Sequence, residues 1–199
     1  MRSSPVKTKL QIPALTAEAQ QINDYLRTLN VEQLATAMKI SEPMAQKTHS
    51  IVQDWSQTPA KQSLALDSFI GDIYSGLQAP ELTKAQRDYA NQTLYILSGL
   101  YGVIRPYDGI MPYRLEMAYK FPDAPYDNLY KFWGQKIAKQ IPESGLVANL
   151  SSVEYSKTVL PFIDPERVIA PQFFTVNPKT KLPTFVTVHS KIARGAFAR

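Results

Sequence analysis

The segment TLYILSGLYGVIRPYDGIMPYRLEM, Thr93 to Met117, constrains the fold more than any other part of the chain. Gly99 and Gly102 bracket a tight apolar turn, Arg105-Pro106 follows at once, and Arg114 stands two residues before Glu116. A helix that only fills a core has no use for permissive backbone, apolar and cationic residues in this mixture. Glycine lets a backbone come close to its neighbour, and N–H groups at a helix start favour negative charge. Two readings follow and both stay open. In one, a helix, a glycine turn and a second helix clamp a phosphate through backbone N–H groups, with Arg105 adding a charge-assisted bond. In the other, the segment is a helix-to-strand turn with structural glycines and Arg105 paired to Asp108.

A chain of 199 residues, 44% of them hydrophobic, holds one sizeable core and does not require a second domain. There is no cysteine, which excludes disulfides, thiolate nucleophiles and cysteine-ligated metals and fits a reducing compartment. His49 and His189 are far apart in sequence, so a dedicated histidine metal site is not expected, and no cofactor is assigned. No apolar run approaches the ~18–20 residues of a membrane span. The opening MRSSPVKTKL has no signal-peptide core, and the expected location is cytoplasmic.

The net charge of +5 is unevenly placed. Residues 1–100 hold nine Lys/Arg and nine Asp/Glu, and residues 101–155 hold six of each. Residues 156–199 carry seven cations against Asp164 and Glu166. A confined positive field suits a polyanion such as nucleic acid, or a phosphorylated ligand, and equally a solvated surface.

Periodicity and caps predict three successive helices: Thr16 to about Leu29, Asn30 through Met38, and Ser41 to about Trp55 with Pro43 in its first turn. Ser63–Phe69 reads as a strand, and Thr83 caps a helix that carries Leu94 and Leu97 into the central segment. Asp127 is placed as the cap of a helix over Asn128–Ile141. Leu146–Leu150 reads as a short buried strand, followed by a turn and helix at Ser151–Thr158. Arg167–Val176 and Leu182–Val188 are β-rich runs around a hairpin whose tip, Asn177 to Lys181, is cationic, and KIARGAFAR reads as helical. The class is mixed α and β in one domain.

Other clusters offer further chemistry. Ser4-Pro5-Val6-Lys7-Thr8 presents an ammonium and two hydroxyls to an anion, without the glycines of a phosphate-binding loop. On a strand, Arg114 and Glu116 share one face and pair with each other or with a ligand. Asn149, Ser152, Glu154 and Tyr155 follow a strand end, where α/β proteins often bind ligands. No histidine stands near Ser151 or Ser152 to activate either as a nucleophile, so no catalytic residue is assigned. Lys191 and Arg194 share a helical face and, with Lys179 and Lys181, match a phosphate backbone or a solvated surface.

Six blocks in order, SPVKT (4–8), FIGDIYSGL (69–77), LSGLYGVIRPYDGIMPYRLEM (97–117), LYKFWG (129–134), NLSSVEY (149–155) and KIARGAF (191–197), resemble the bacterial YaaA family of peroxide-stress proteins. The resemblance spans essentially the whole chain. It implies a cytosolic DNA-binding protein that limits oxidative damage to DNA and the consequences of free iron. It also implies a single-domain α/β fold with a positively charged cleft and a helix-hairpin-helix element. We place that element on the helix ending near Leu97 and the Gly99–Gly102 turn. The phosphate contacts would be Lys7, Thr8, Gly99, Gly102, Arg105, Arg114, Lys157, Lys191 and Arg194, with double-stranded or structured DNA as partner. A small phosphorylated ligand is the alternative partner, in a pocket of Ser4, Glu116, Asn149, Ser152, Glu154 and Tyr155.

The chain departs from the family in places. Gly99 and Gly102 are three apart where such turns space their glycines by two, Ile70 stands where the family commonly has lysine, and Val6 where it has alanine. Met1-Arg2-Ser3 stands in place of an apolar first strand, and family members continue beyond the Ala193-Arg194-Gly195 block. A fragment or shortened member, without a first strand and a last portion, is therefore the expectation.

Overall fold

The computed structural model describes residues 9–199. Mixed α and β structure is what forms, beginning with three helices: α1 (Thr16–Arg27), α2 (Val31–Met38) and α3 (Glu42–Asp54). Asn30 starts α2 with a reciprocal capping box: its side chain accepts from Gln33 N, and Gln33 Oε1 accepts from Asn30 N, both at 2.9 Å. Thr16 is the first helical residue of α1 and not its cap. Its hydroxyl donates to Pro13 O at 2.5 Å and holds the incoming turn.

The predicted Ser63–Phe69 strand is mostly helix. Only β1 (Ser63–Leu64) is extended, and α4 (Ala65–Ser68) follows, with Ser68 Oγ donating back to Leu64 O at 2.6 Å. Next come α5 (Asp72–Leu77) and α6 (Lys84–Thr93), the latter started by a Thr83/Gln86 capping box. Arg87 on α6 reaches across to Asp67 on α4. Its two Nη groups donate to the two carboxylate oxygens at 3.0 Å each, while Ala79 O and Leu82 O accept at 2.7 and 3.3 Å. Both side chains are almost fully buried. Every N–H direction of a buried guanidinium must be used, and this one is surrounded by acceptors.

From α6 the chain enters β2 (Ile96–Ser98), β3 (Gly102–Ile104) and β4 (Gly109–Ile110). β2 and β3 pair antiparallel with Ile96 opposite Ile104, and β4 pairs antiparallel with β1. A parallel bridge sets Gln11 beside Asp108. The predicted Asn128–Ile141 helix is cut short: α7 (Leu129–Trp133) stops where Gly134 turns to a φ of +46°. Its cap is Asn128, whose side chain accepts from Lys131 N at 2.9 Å, while Asp127 pairs with the Lys131 ammonium. The predicted strand at Leu146–Leu150 contracts to β5 (Val147–Ala148), which pairs in parallel with β6 (Val168–Ile169). α8 (Val153–Ser156) lies between them, and β7 (Thr175–Val176) pairs antiparallel with β8 (Pro183–Thr184), the hairpin expected from sequence. α9 (Thr187–Ala198) completes the order.

The core gathers α1–α3, the β2–β3 hairpin and α7. Trp55 and Trp133 are buried within it, and each indole N–H has a partner: Trp55 donates to Tyr101 Oη at 2.8 Å, Trp133 to Gly99 O at 3.1 Å. α9 packs against α5 at backbone contact. A Cβ on Gly195 would sit 1.8 Å from Ile73 O, and one on Gly76 would sit 2.0 Å from Ile192 O. Among the described residues no helix is long and apolar enough to cross a membrane.

Two outcomes are expected in urea unfolding. Arg87→Ala removes the buried guanidinium that pairs with Asp67 and should cost about 3–5 kcal/mol, whereas the double change Arg87→Met with Asp67→Leu should recover most of that loss; equal losses would refute the electrostatic account. Gly195→Ala forces α9 off α5 and should cost about 1–3 kcal/mol or more, although helix propensity alone favours alanine; Ala193→Gly, the control for propensity, should cost about 0.5–1 kcal/mol.

Candidate functional site

The central segment is a strand–turn–strand. α6 ends at Thr93 with Leu94 extended, and the two elements around the glycines are β2 and β3, so the expected helix-hairpin-helix is not formed there. Packing explains the difference. A Cβ on Gly99 would lie 2.4 Å from Leu115 O, and Gly102, at φ +69°, would place one 2.8 Å from the Trp133 ring. Both glycines are buried, and their spacing of three serves a tight hairpin against an indole. Arg105 is likewise turned inward. Its backbone N–H donates to Asp108 Oδ2 at 2.7 Å, and its guanidinium lies 4.0 Å over the Tyr95 ring while donating to Asn91 O. Its Nε is buried with no partner among the described residues.

The second set of predicted residues does converge. Tyr155 donates its hydroxyl proton to Glu116 Oε2 at 2.6 Å, and Glu154 Oε1 accepts from Ala118 N at 2.9 Å. Asn149 Oδ1 accepts from Ser151 N and Oγ at 3.1 and 2.8 Å, and fixes the turn. Ser152 is the residue before α8 and makes no side-chain cap bond. Arg194 on α9 donates to Ser151 O at 3.1 Å and ties the helix to this turn. Arg114, which lies outside any strand, is exposed and has no ion-pair partner among the described residues; its supposed partner Glu116 faces Tyr155 instead. Ser4, Lys7 and Thr8 lie outside the described residues.

Electrostatics around Glu116 keep the phenols neutral. Burial raises the Tyr155 hydroxyl well above its ordinary value, and the bond to Glu116 raises it further. Burial does the same to Tyr113, whose hydroxyl accepts from Ser98 Oγ at 2.7 Å. Tyr74, stacked on Phe69 with centroids 5.1 Å apart, is raised by burial and then by the charge of Glu116. The cluster is a set of neutral phenols around one carboxylate, and Tyr155 is the one that donates to it. Among the described residues no group of three or more His, Asp or Glu is arranged to hold a metal ion.

α9 links most of the cations of the last 44 residues, whereas Arg167 donates to the carbonyls of Pro142, Ser144 and Gly145 and Arg199 pairs with Glu81 at 3.0 Å. Besides the Arg194 bond to the 149–155 turn, His189 Nδ1 and Thr175 Oγ1 lie 2.9 Å apart, and the Phe173 and Phe197 rings meet at 5.9 Å. The hairpin whose tip carries Lys179 and Lys181 is therefore fastened to the helix that carries Lys191 and Arg194. Lys157 follows α8 directly. Lys157, Lys179 and Lys181 are exposed and have no ion-pair partner among the described residues. Lys191 has only a 3.9 Å contact with Asp72, both side chains largely in solvent.

Residues 1–199 match the family model described as peroxide stress protein YaaA. A UPF0246 protein of Salinispora tropica is 54% identical over 190 residues, which covers 96% of this chain and 72% of that protein. UPF0246 proteins of Burkholderia lata and Burkholderia ambifaria are 40% and 39% identical, each over 94% of this chain and 75% of their own length. The chain belongs to the YaaA family of peroxide stress proteins.

Asp108 gives this region a pH signature. Burial raises its carboxyl above the usual range, and the Arg105 N–H and charge offset that only partly. The folded state then holds the Asp108 proton more tightly than the unfolded chain, whose value is near ~3.9. The stability this supplies is complete below that value and is lost as pH rises through the folded one. Asp108→Asn keeps an acceptor for Arg105 N and removes the titration. The difference in unfolding free energy between wild type and variant should therefore shift in the variant's favour from pH 3.5 upward and level off; a flat difference refutes it.

Proposed function

We propose that this protein binds DNA through its phosphate backbone with little sequence preference, as part of the peroxide-stress response, and thereby limits DNA damage linked to free iron. The observation that carries the reading is the arrangement around α9. Lys157, Lys179, Lys181, Lys191 and Arg194 belong to segments that this helix fastens together, and Lys157, Lys179 and Lys181 are unpaired among the described residues. Free ammonium groups on a joined surface release counterions from a polyanion without first breaking protein ion pairs. Membership in a family of peroxide stress proteins supplies the physiological setting. The buried Gly99–Gly102 hairpin is then scaffold, and the contacts move to exposed side chains.

A small phosphorylated ligand at the Glu116–Tyr155 cluster is the second reading, because Tyr155 bonds Glu116 and Glu154 bonds the neighbouring Ala118 N–H. Charge favours the first. The cluster holds two carboxylates, and Arg194 already donates to Ser151 O. An anion entering it meets more negative charge than positive.

The test is the salt dependence of duplex binding. With about four to six phosphate contacts, log K should fall against log salt with a slope near −4 to −5. Changing Lys157, Lys179 and Lys181 together to glutamine should reduce the magnitude of that slope by about 3 and weaken binding to all sequences alike. A slope unchanged by the triple substitution, or binding insensitive to salt, overturns the proposal.

A further inference from the structure

A groove of about 820 Å³ opens between α2 and the loop 118–122, at residues that none of the sequence motifs includes. That volume lies in the usual range for small-molecule sites, about 300–1,000 Å³. One wall is the loop, which is fixed at both ends. Ala118 N donates to Glu154 at 2.9 Å, and the Tyr25 hydroxyl donates to Pro122 O. Between those points Tyr119 and Phe121 meet edge to face at 6.3 Å, and Tyr25 holds Phe121 from behind at 6.2 Å. The aromatic wall is thus set in place before any ligand arrives.

The opposite wall is polar. Glu32, Gln33 and Thr36 line it from α2, and Gln33 uses only its Oε1 in the capping box, which leaves its amide N–H groups without a partner among the described residues. Lys39 and Lys120 also line the groove, and neither makes an ion pair among the described residues. The Tyr119 hydroxyl has no hydrogen-bond partner there either. Lys39 stands at the C-terminal end of α2, where the helix contributes about half a negative charge. The Glu32 carboxylate adds to that negative charge, and the two ammonium groups together still outweigh both.

We infer that this groove binds a nucleotide: a flat base laid against Tyr119, its edge read by Gln33 and Thr36, and its phosphate held between Lys39 and Lys120. Stacking on an aromatic ring tolerates any base, whereas the two cations require the phosphate. The base and phosphate come either from a free mononucleotide or from an unpaired position in a strand. The site uses none of the cations assigned to the duplex surface, so it stands or falls separately from that reading.

The experiment is thermal unfolding of the full chain with AMP, GMP, ribose 5-phosphate, inorganic phosphate and a short oligo-dT. A mononucleotide at about a hundredfold excess over its Kd should raise Tm by roughly 5 °C, and ribose 5-phosphate and phosphate should fall well short of it. Lys39→Gln with Lys120→Gln should weaken binding about tenfold or more. Tyr119→Ala should abolish the base-dependent part, while Tyr119→Phe, which keeps the ring and reports on folding, should retain it. A shift with oligo-dT alone, lost in Tyr119→Ala, assigns the nucleotide to a strand and upholds the base-and-phosphate chemistry. The inference is overturned if neither a mononucleotide nor oligo-dT shifts Tm, if inorganic phosphate raises Tm as much as the nucleotide that does shift it, or if Tyr119→Ala binds like wild type.

Discussion

The buried pair of Arg87 and Asp67 is the constraint on which the surrounding architecture depends. Asp67 belongs to α4, whose backbone is hydrogen-bonded to the strand side of the molecule through Ala65 N to Asp108 O and Leu66 N to Pro106 O. Arg87 belongs to α6, which leads straight into β2. The two bidentate bonds therefore lock the β1–β4 ribbon to the helix that feeds the β2–β3 hairpin. A carboxylate and a guanidinium removed from water together leave few alternative registers, since any slip strands one charge in an apolar interior. Such a pair adds little net stability compared with an apolar filling, and its effect is to make one arrangement strongly preferred over its neighbours.

Features set by near neighbours were legible in the sequence. Asn30 with Gln33 and Thr83 with Gln86 are three apart, so their capping boxes follow from local chemistry alone. The hairpin with Asn177–Lys181 at its tip and the helix carrying Lys191 and Arg194 were equally local. What escaped depends on partners far along the chain. Gly99 and Gly102 look like an anion-binding turn until Leu115 and Trp133 are folded over them. Gly76 and Gly195 gave no sign that each abuts the other's helix, because 119 positions separate them. The Glu116–Tyr155 meeting was anticipated as a cluster, but the expected pairing of Glu116 with Arg114 assumed a strand that the chain does not form. The groove at Tyr119 and Lys120 was missed because half of it comes from α2.

The charge distribution acquires meaning from these placements. Within the interior, charge is either paired, as at Arg87, or held neutral, as in the phenols that burial keeps protonated around Glu116. Outside, the excess cations lie on late segments with few carboxylates near them. The family to which the chain belongs is defined by its association with peroxide stress, and a cysteine-free chain suits that setting: it offers no thiolate for peroxide to oxidise. Among its methionines, Met38, Met111 and Met117 are enclosed in the core, whereas Met44 is exposed.

The crossing of Gly76 and Gly195 has a consequence for how such a surface works. α9 is seated chiefly by van der Waals contact between two backbones, whereas its ion pairs, Lys191 with Asp72 at 3.9 Å and Arg199 with Glu81 at 3.0 Å, lie at its solvent-facing edge. Contact of that kind is indifferent to ionic strength, while attraction to a polyanion is not. On the proposed duplex reading, the helix that carries the cations keeps its seat while its attraction to a polyanion rises and falls with the surrounding salt. Grip and scaffold are then mechanically independent, so release of a strand would leave behind a surface already shaped for the next one.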